Sequence, residues 1–140
     1  MSKIQAYLMR VDEQTGQVFK GYLSEIENTL KAKQDYVNYG HPNGLIQVIS
    51  LGDIDIICND EGKLLQYPPN RVILDDDNTV LDIFCGSIMA LRHDDSGEFT
   101  SILPSDIPVI DKYIKPLYKT KSGIGIVIPT ERWLEEYKED

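Results

Sequence analysis

Long apolar runs are what this sequence most plainly lacks. No window of its 140 residues approaches the ~20 apolar residues needed to span a bilayer, and the opening Met1-Ser2-Lys3-Ile4-Gln5-Ala6-Tyr7 carries no signal-peptide core. Cysteine is almost as scarce. Cys58 and Cys85 each sit inside an apolar stretch, which makes neither a disulfide framework nor a metal-ligand spacing. Both read as small buried hydrophobes. His41 precedes a proline and His93 lies in a turn, without a His-Glu-x-x-His pattern; no serine stands in a Gly-x-Ser-x-Gly elbow, and phosphate-loop and dinucleotide signatures are missing. These absences predict a cytoplasmic, non-enzymatic protein with no metal and no cofactor.

Basic residues are sparse where acids are dense. From Asp53 to Glu98 the chain holds eleven acids and three bases, which places −8 of the net −9 in the middle third. That balance argues against direct nucleic-acid binding, which needs Lys and Arg on phosphates. It favours a partner with a basic surface. Solubility is the plainer use of the same charge.

What is present describes an ordinary globular chain, 41% hydrophobic with 7 prolines. We expect one domain over residues 1–140. Its expected fold class is α+β: a small, mostly antiparallel sheet with one packed N-terminal helix, a short helix after the sheet and a C-terminal helix. Ile4 to Val11 alternates as a strand, and Val18 to Tyr22 can return beside it. Ser24 and Glu27 have capping-box spacing, which predicts a helix running to Gly40 with Ile26, Leu30, Lys33 and Val37 as its stripe. Leu45–Leu51 and Ile54–Cys58 read as a hairpin about Gly52-Asp53. Asn59-Asp60-Glu61-Gly62 is turn chemistry, with Gly62 suited to a positive φ and Leu64-Leu65 able to extend the hairpin. Tyr67 to Asn70 should be irregular because of its two prolines. Short strands follow at Val72–Leu74, Val80–Phe84 and Ser87–Leu91, with a bend at Gly86 and a turn at His93–Gly97. Ser105 is the expected cap of a helix from Asp106 to about Lys115, ended by Pro116. Ile124–Ile128 is a late strand, and Thr130 caps a final helix with Trp133, Leu134 and Tyr137 as its stripe.

Three groups of residues are candidates for chemistry. Asn59, Asp60 and Glu61 on the turn could meet Asn70 and Arg71 from the next loop, where an arginine fork can hold a phosphate or carboxylate. The structural alternative has Arg71 paired to Asp60 or Glu61 and Asn70 pinning the proline loop. Asp75, Asp76 and Asp77, with Asp82 nearby, offer oxygen ligands but no twelve-residue calcium loop, so a solvated charge run is the simpler reading. Lys112, Lys115, Lys119 and Lys121 have no acid between them and run into Gly123 and Gly125, with Tyr113 and Tyr118 available to stack a base. Lysines on the wet face of a helix are the alternative there.

The run Cys58-Asn59-Asp60-Glu61-Gly62-Lys63-Leu64, followed by Pro68-Pro69-Asn70-Arg71, a Gly86-centred strand and Ser101-Ile102-Leu103-Pro104-Ser105-Asp106-Ile107, resembles domain-of-unknown-function family 3846. The likeness centres on 54–117, the opening strand and the helix before it also match the family's layout, so that about three quarters of the chain is covered, and residues 119–140 read as a strand–helix extension. The resemblance implies a short protein of phages or conjugative elements and brings no established chemistry with it. The expectation it supports is a counter-defence protein in the host cytosol. Such a protein would inhibit a host protein, a defence nuclease for instance, through an acidic, nucleic-acid-mimicking face of Asp60, Glu61, Asp75, Asp76, Asp77, Asp82, Asp94 and Asp95. The alternatives are a nucleotide-signal sponge using Asn59, Asn70, Arg71 and the Lys112–Lys121 segment, alone or across a homodimer, and a structural or regulatory interaction module.

Overall fold

Three short strands of this chain are buried over most of their length, which requires cover on both faces of a sheet. Ile54–Asn59 is buried at every position, Ile88–His93 over its first four residues, and Lys3–Met9 at all but Lys3 and Gln5. The computed structural model, which describes residues 2–120 and 123–126 (118–120 and 123–126 through their backbone), supplies that cover. In chain order the strands are β1 (Lys3–Met9), β2 (Tyr22–Glu27), β3 (Ile46–Leu51), β4 (Ile54–Asn59), β5 (Pro69–Leu74), β6 (Val80–Cys85), β7 (Ile88–His93), β8 (Phe99–Thr100), β9 (Ile114–Thr120) and β10 (Gly123–Ile126). The helices are α1 (Leu30–Val37) and α2 (Ile107–Tyr113), the latter preceded by a 3-10 turn at Pro104–Asp106. The fold is α+β, and the strand pairs are antiparallel.

There are two sheets among the described residues rather than the single one expected. The first has the order β2-β1-β7-β4-β3, with β8 added to β7; the second runs β10-β9-β5-β6. Side-chain alternation on β1 divides the core between them. Ile4, Ala6 and Leu8 join Val37 of α1, Ile57, Met89 and Leu91 on one face. Tyr7 and Met9 join Ile56, Ile73, Phe84, Ile110 and Ile114 on the other, where the second sheet and α2 pack. The layers are therefore helix, sheet, sheet, and the central strands carry apolar side chains toward both of their faces.

Several local expectations give way to this arrangement. Ser24 caps no helix: it pairs with Ala6 in β2, whose backbone finds its ladder partners on β1. The helix begins later, where the Thr29 hydroxyl accepts the Ala32 amide at 3.0 Å. Lys33 is still buried, its ammonium 2.9 Å from Asn28 Oδ1 and 4.9 Å from the Phe99 ring centre, and burial holds it below the usual lysine range. The expected irregularity at Tyr67 to Asn70 is met in part: 67–68 lie outside the strands, while Pro69 and Asn70 open β5 with a register shift at Asn70. Residues 60–66 turn instead of extending the hairpin. Ser105 is not the cap of α2; the Asp106 carboxylate accepts the Leu103 amide at 2.9 Å. That helix stops at Tyr113 because Ile114 pairs with Ile73, and Pro116 does not end it but lies in β9. Proline is tolerated there since the β10 ladder begins only at Leu117. The expected C-terminal helix lies outside the described residues.

One side chain joins the sheets. Asn70, fully buried, donates from Nδ2 to Met9 O at 2.8 Å and to Gly86 O at 3.0 Å, while Arg71 Nη1 donates to its Oδ1 at 2.6 Å. Gly86, at φ 94°, is the corner at which the chain leaves the second sheet for the first. Replacing Asn70 by Ala strands two carbonyls and a guanidinium donor, so urea unfolding of Asn70→Ala should show a loss of about 2–4 kcal/mol. Tyr36 is the converse case. Its hydroxyl is buried without a hydrogen-bond partner among the described residues, so Tyr36→Phe should leave stability unchanged or raise it by up to about 1 kcal/mol.

Candidate functional site

Two of the segments that carry the family likeness, 58–64 and 68–71, form and flank one loop, 60–68, between β4 and β5, whereas 101–107 lies beside β1. Asn59, buried at the end of β4, accepts the Glu61 amide on Oδ1 at 2.7 Å and so fixes an Asx turn. Its Nδ2 donates to Asn38 Oδ1 at 2.9 Å. The Tyr67 hydroxyl donates to the same Asn38 oxygen at 2.6 Å, and Asn38 Nδ2 donates to His41 O at 2.8 Å. One asparagine at the end of α1 therefore ties down both ends of the loop. Gly62 is needed here for space and not for a positive φ: a Cβ would fall on the Cys85 carbonyl oxygen. The left-handed residue of the loop is Gln66, at φ 59°.

Two clefts open on either side of this loop. The smaller, about 110 Å³, is lined by Cys58, Asp60, Glu61, Lys63, Asp82 and Ile83 among others. Lys63 forms an ion pair with Asp82 across it, which raises the lysine and holds the carboxyl below the usual range. Burial pushes the Cys58 thiol up to about 11 and raises Cys85 as well, so neither is a thiolate at neutral pH. Leu64 stands 81% exposed at the rim. The larger cleft, about 470 Å³, lies between Glu13, His41, Leu45, Glu61, Leu65 and Tyr67. His41 Nε2 is 2.6 Å from Glu13 Oε2. Burial and then the Glu13 charge raise the Tyr67 hydroxyl. No serine, threonine, cysteine, lysine or arginine is in the lining of this cleft.

A family model for a domain of unknown function, DUF3846, matches residues 9–118. The chain belongs to the DUF3846 family. Its family region thus includes β2, α1 and β3, upstream of the 54–117 core that carries the likeness in sequence. No curated protein and no solved structure matches the chain.

The expected site residues of this DUF3846 protein are distributed as follows. Asn59, Asn70 and Arg71 are buried and turned inward: Arg71 Nη2 donates to Phe19 O at 2.6 Å, which ties β5 to the loop before β2. Asp60 and Glu61 stay exposed between the clefts, and Asp82 reaches the smaller one from β6. The other acids serve their own turns. Asp75 accepts the amides of Asp77 and Thr79, each at 2.9 Å, and Asp94 accepts those of Ser96 and Glu98 at 2.9 and 3.0 Å. Asp76 accepts the Tyr113 hydroxyl at 2.7 Å, and Asp95 is exposed. Because Ile54 pairs with Arg92, Asp94–Asp95 and Asp60–Glu61 stand at opposite ends of β4, roughly 20 Å apart for a six-residue strand. The two acidic turns are therefore separate clusters at the two ends of β4.

The lysines do not share a helix face either. Lys112 lies over the Tyr113 ring at 5.1 Å on α2, whereas Lys115 is on β9, its ammonium donating to Asp111 O at 2.6 Å. The side chains of Tyr118 and Lys119, and all of Lys121, lie outside the described residues. The Glu13–His41 pair and the role of Asn38 had no signal in spacing, being 28 and 21 residues from their partners. Tyr67→Phe removes the donor that Asn38 Oδ1 accepts, and thermal melts should show a loss of about 1 kcal/mol.

Proposed function

We propose that this DUF3846 chain is a non-enzymatic accessory protein of a mobile genetic element. In this reading it inhibits a host protein, a defence nuclease being the target class that best fits, by docking the 60–67 loop against a basic groove. The observation that carries this is the composition of the loop's surroundings. Asp60, Glu61 and Asp82 rim the smaller cleft, Leu64 projects from it, and Leu81 and Ile83 are exposed on β6, which pairs only with β5 among the described residues. Apolar anchors within a charged rim are the anatomy of a protein-binding patch. A strand with one free edge can also add a partner's strand.

Two further observations favour binding over chemistry. Both thiols at the loop are held protonated by burial. The His41–Glu13 pair has no hydroxyl or thiol nucleophile beside it other than the phenol of Tyr67, which is spent on Asn38. The nucleotide-sponge alternative is weakened because the Arg71 guanidinium is turned inward and the Lys115 ammonium donates to a backbone carbonyl.

The test is capture of a host protein from a bacterial lysate by tagged wild-type protein, followed by affinity measurement with the purified partner. Asp60→Asn with Glu61→Gln should weaken binding about tenfold, equivalent to about 1.4 kcal/mol, and the loss should shrink at high salt. Leu64→Ser should weaken it by a similar factor at any salt. Binding indifferent to both variants would sink the loop as the docking surface.

A further inference from the structure

The larger cleft has an occupant chemistry of its own. Its charged lining is two carboxylates, Glu13 and Glu61, and one imidazole already held by Glu13 at 2.6 Å. With no lysine or arginine in the lining, a phosphate or carboxylate group would meet like charge and find no cationic donor. Glu13 Oε1 has no hydrogen bond among the described residues, although Oε2 is taken by His41. Glu61 lends its amide to the Asx turn, and its carboxylate likewise lacks a hydrogen bond among the described residues. No three His, Cys, Asp or Glu side chains among the described residues converge as a metal-ligand set, so these carboxylates do not meet on a single ion.

The rest of the lining is Pro42, Leu45, Leu65 and Tyr67 together with the neutral amides of Asn38, Asn43 and Asn59. Leu45 and Leu65 are about half exposed there, and Tyr67 is braced edge-on by Tyr39, with ring centres 5.0 Å apart at 79°. The Glu61 carboxylate and the remaining oxygen of Glu13, beside leucine and tyrosine side chains, fit a cation carried on an aliphatic stem. Arginine meets each element: its methylenes lie on leucine, its fork accepts carboxylate pairing, and its plane stacks on tyrosine. The volume, about 470 Å³, is within the range of small-molecule sites and ample for one such side chain.

We propose that the Glu13–Glu61 cleft receives one arginine side chain of the partner protein. This rests on the docking reading above for whose arginine it is, but not for whether the cleft binds one. Glu61 lines both clefts, so a partner lying across the 60–67 loop would reach the smaller cleft and the arginine seat together.

The probe is N-acetyl-arginine amide, titrated into isotope-labelled full-length protein and followed by amide NMR, with the isosteric citrulline derivative as the neutral control. Arginine should give saturable shifts confined to residues around Glu13, His41, Glu61 and Tyr67. The citrulline derivative should bind at least tenfold more weakly. Glu13→Gln, which keeps a hydrogen-bond acceptor for His41, should cut arginine affinity about fivefold, and a Glu13→Gln/Glu61→Gln pair more, with the melting curve confirming that each variant is folded. Equal binding of citrulline, shifts spread equally over the Asp75–Asp77 and Asp94–Asp95 turns, or no saturation at tens of millimolar would overturn the proposal. So would inorganic phosphate perturbing the same residues. The two readings fail separately. Arginine binding in the cleft with no host protein captured removes the partner and keeps the seat, while a captured partner indifferent to Glu13→Gln removes the seat and keeps the docking loop.

Discussion

The Asn70 amide is the interaction on which the rest of the structure depends. A chain that passes from one sheet to another at Gly86 exposes backbone groups at the corner, and no ladder satisfies them. Asn70 supplies both donors needed, to the last residue of β1 and to the corner itself, and then accepts the Arg71 guanidinium. Arg71 extends the same network to Phe19 O, so the loop between β1 and β2 is held from beneath. Ser87 and Tyr39 close the other side of the corner: the Tyr39 hydroxyl donates to Val11 O at 2.8 Å and accepts the Ser87 amide at 3.1 Å. The junction is thus built from neutral amides, hydroxyls and one delocalised cation. Burying that cation is tolerable because its donors meet oxygen acceptors in the dry interior.

That network also explains which parts of the sequence were legible. β4 and β7 could be read from their apolar runs, because strands covered on both faces carry apolar residues at successive positions, and β1 from its alternation. The two-sheet division could not, since nothing in Val72–Leu74 or Val80–Phe84 says which neighbour each strand prefers. β2 was hidden for a different reason. Its positions are exposed or half-buried, so it has weak alternation, and Ser24 with Glu27 imitates a helix start at a spacing common by chance. What decides is β1 lying alongside, a tertiary fact. The misjudged end of α2 has the same origin: Ile107, Ile110 and Ile114 keep helical spacing, but Ile114 is used by the core as the first residue of β9.

The candidate site was half visible. Asn59-Asp60-Glu61-Gly62 announced a turn, and the likeness at Pro68–Arg71 pointed to the strand that follows. Much of what those motif residues do is architectural: Asn59 fixes the turn, Gly62 admits the Cys85 carbonyl and Asn70 joins the sheets. The residues left facing solvent, Asp60, Glu61, Lys63 and Leu64, are those whose chemistry the fold does not consume. Glu13, Asn38 and His41 come from the N-terminal half and meet the loop only in three dimensions, so no local pattern could have named them.

Charge counted along the chain and charge acting at a point differ here by geometry. The eight excess negative charges between Asp53 and Glu98 produce a field that draws basic surfaces from a distance. At 0.15 M salt that field decays over about 8 Å. The turns at the two ends of β4 are separated by roughly 20 Å, more than two such lengths, so a partner on the loop is screened from Asp94 and Asp95. Asp94 is also committed to its own turn, where its carboxylate is held below its ordinary range by the Ser96 hydroxyl and the Glu98 amide. Under the proposed docking, selection among basic partners would therefore fall to the few carboxylates near the loop. Among them Asp82 is neutralised by Lys63, leaving Asp60, Glu61 and Glu13 as the charges whose pairing a partner can change. Of these, Glu13 and Glu61 line a concave, partly apolar cleft, where one correctly shaped cation can meet both carboxylates at once.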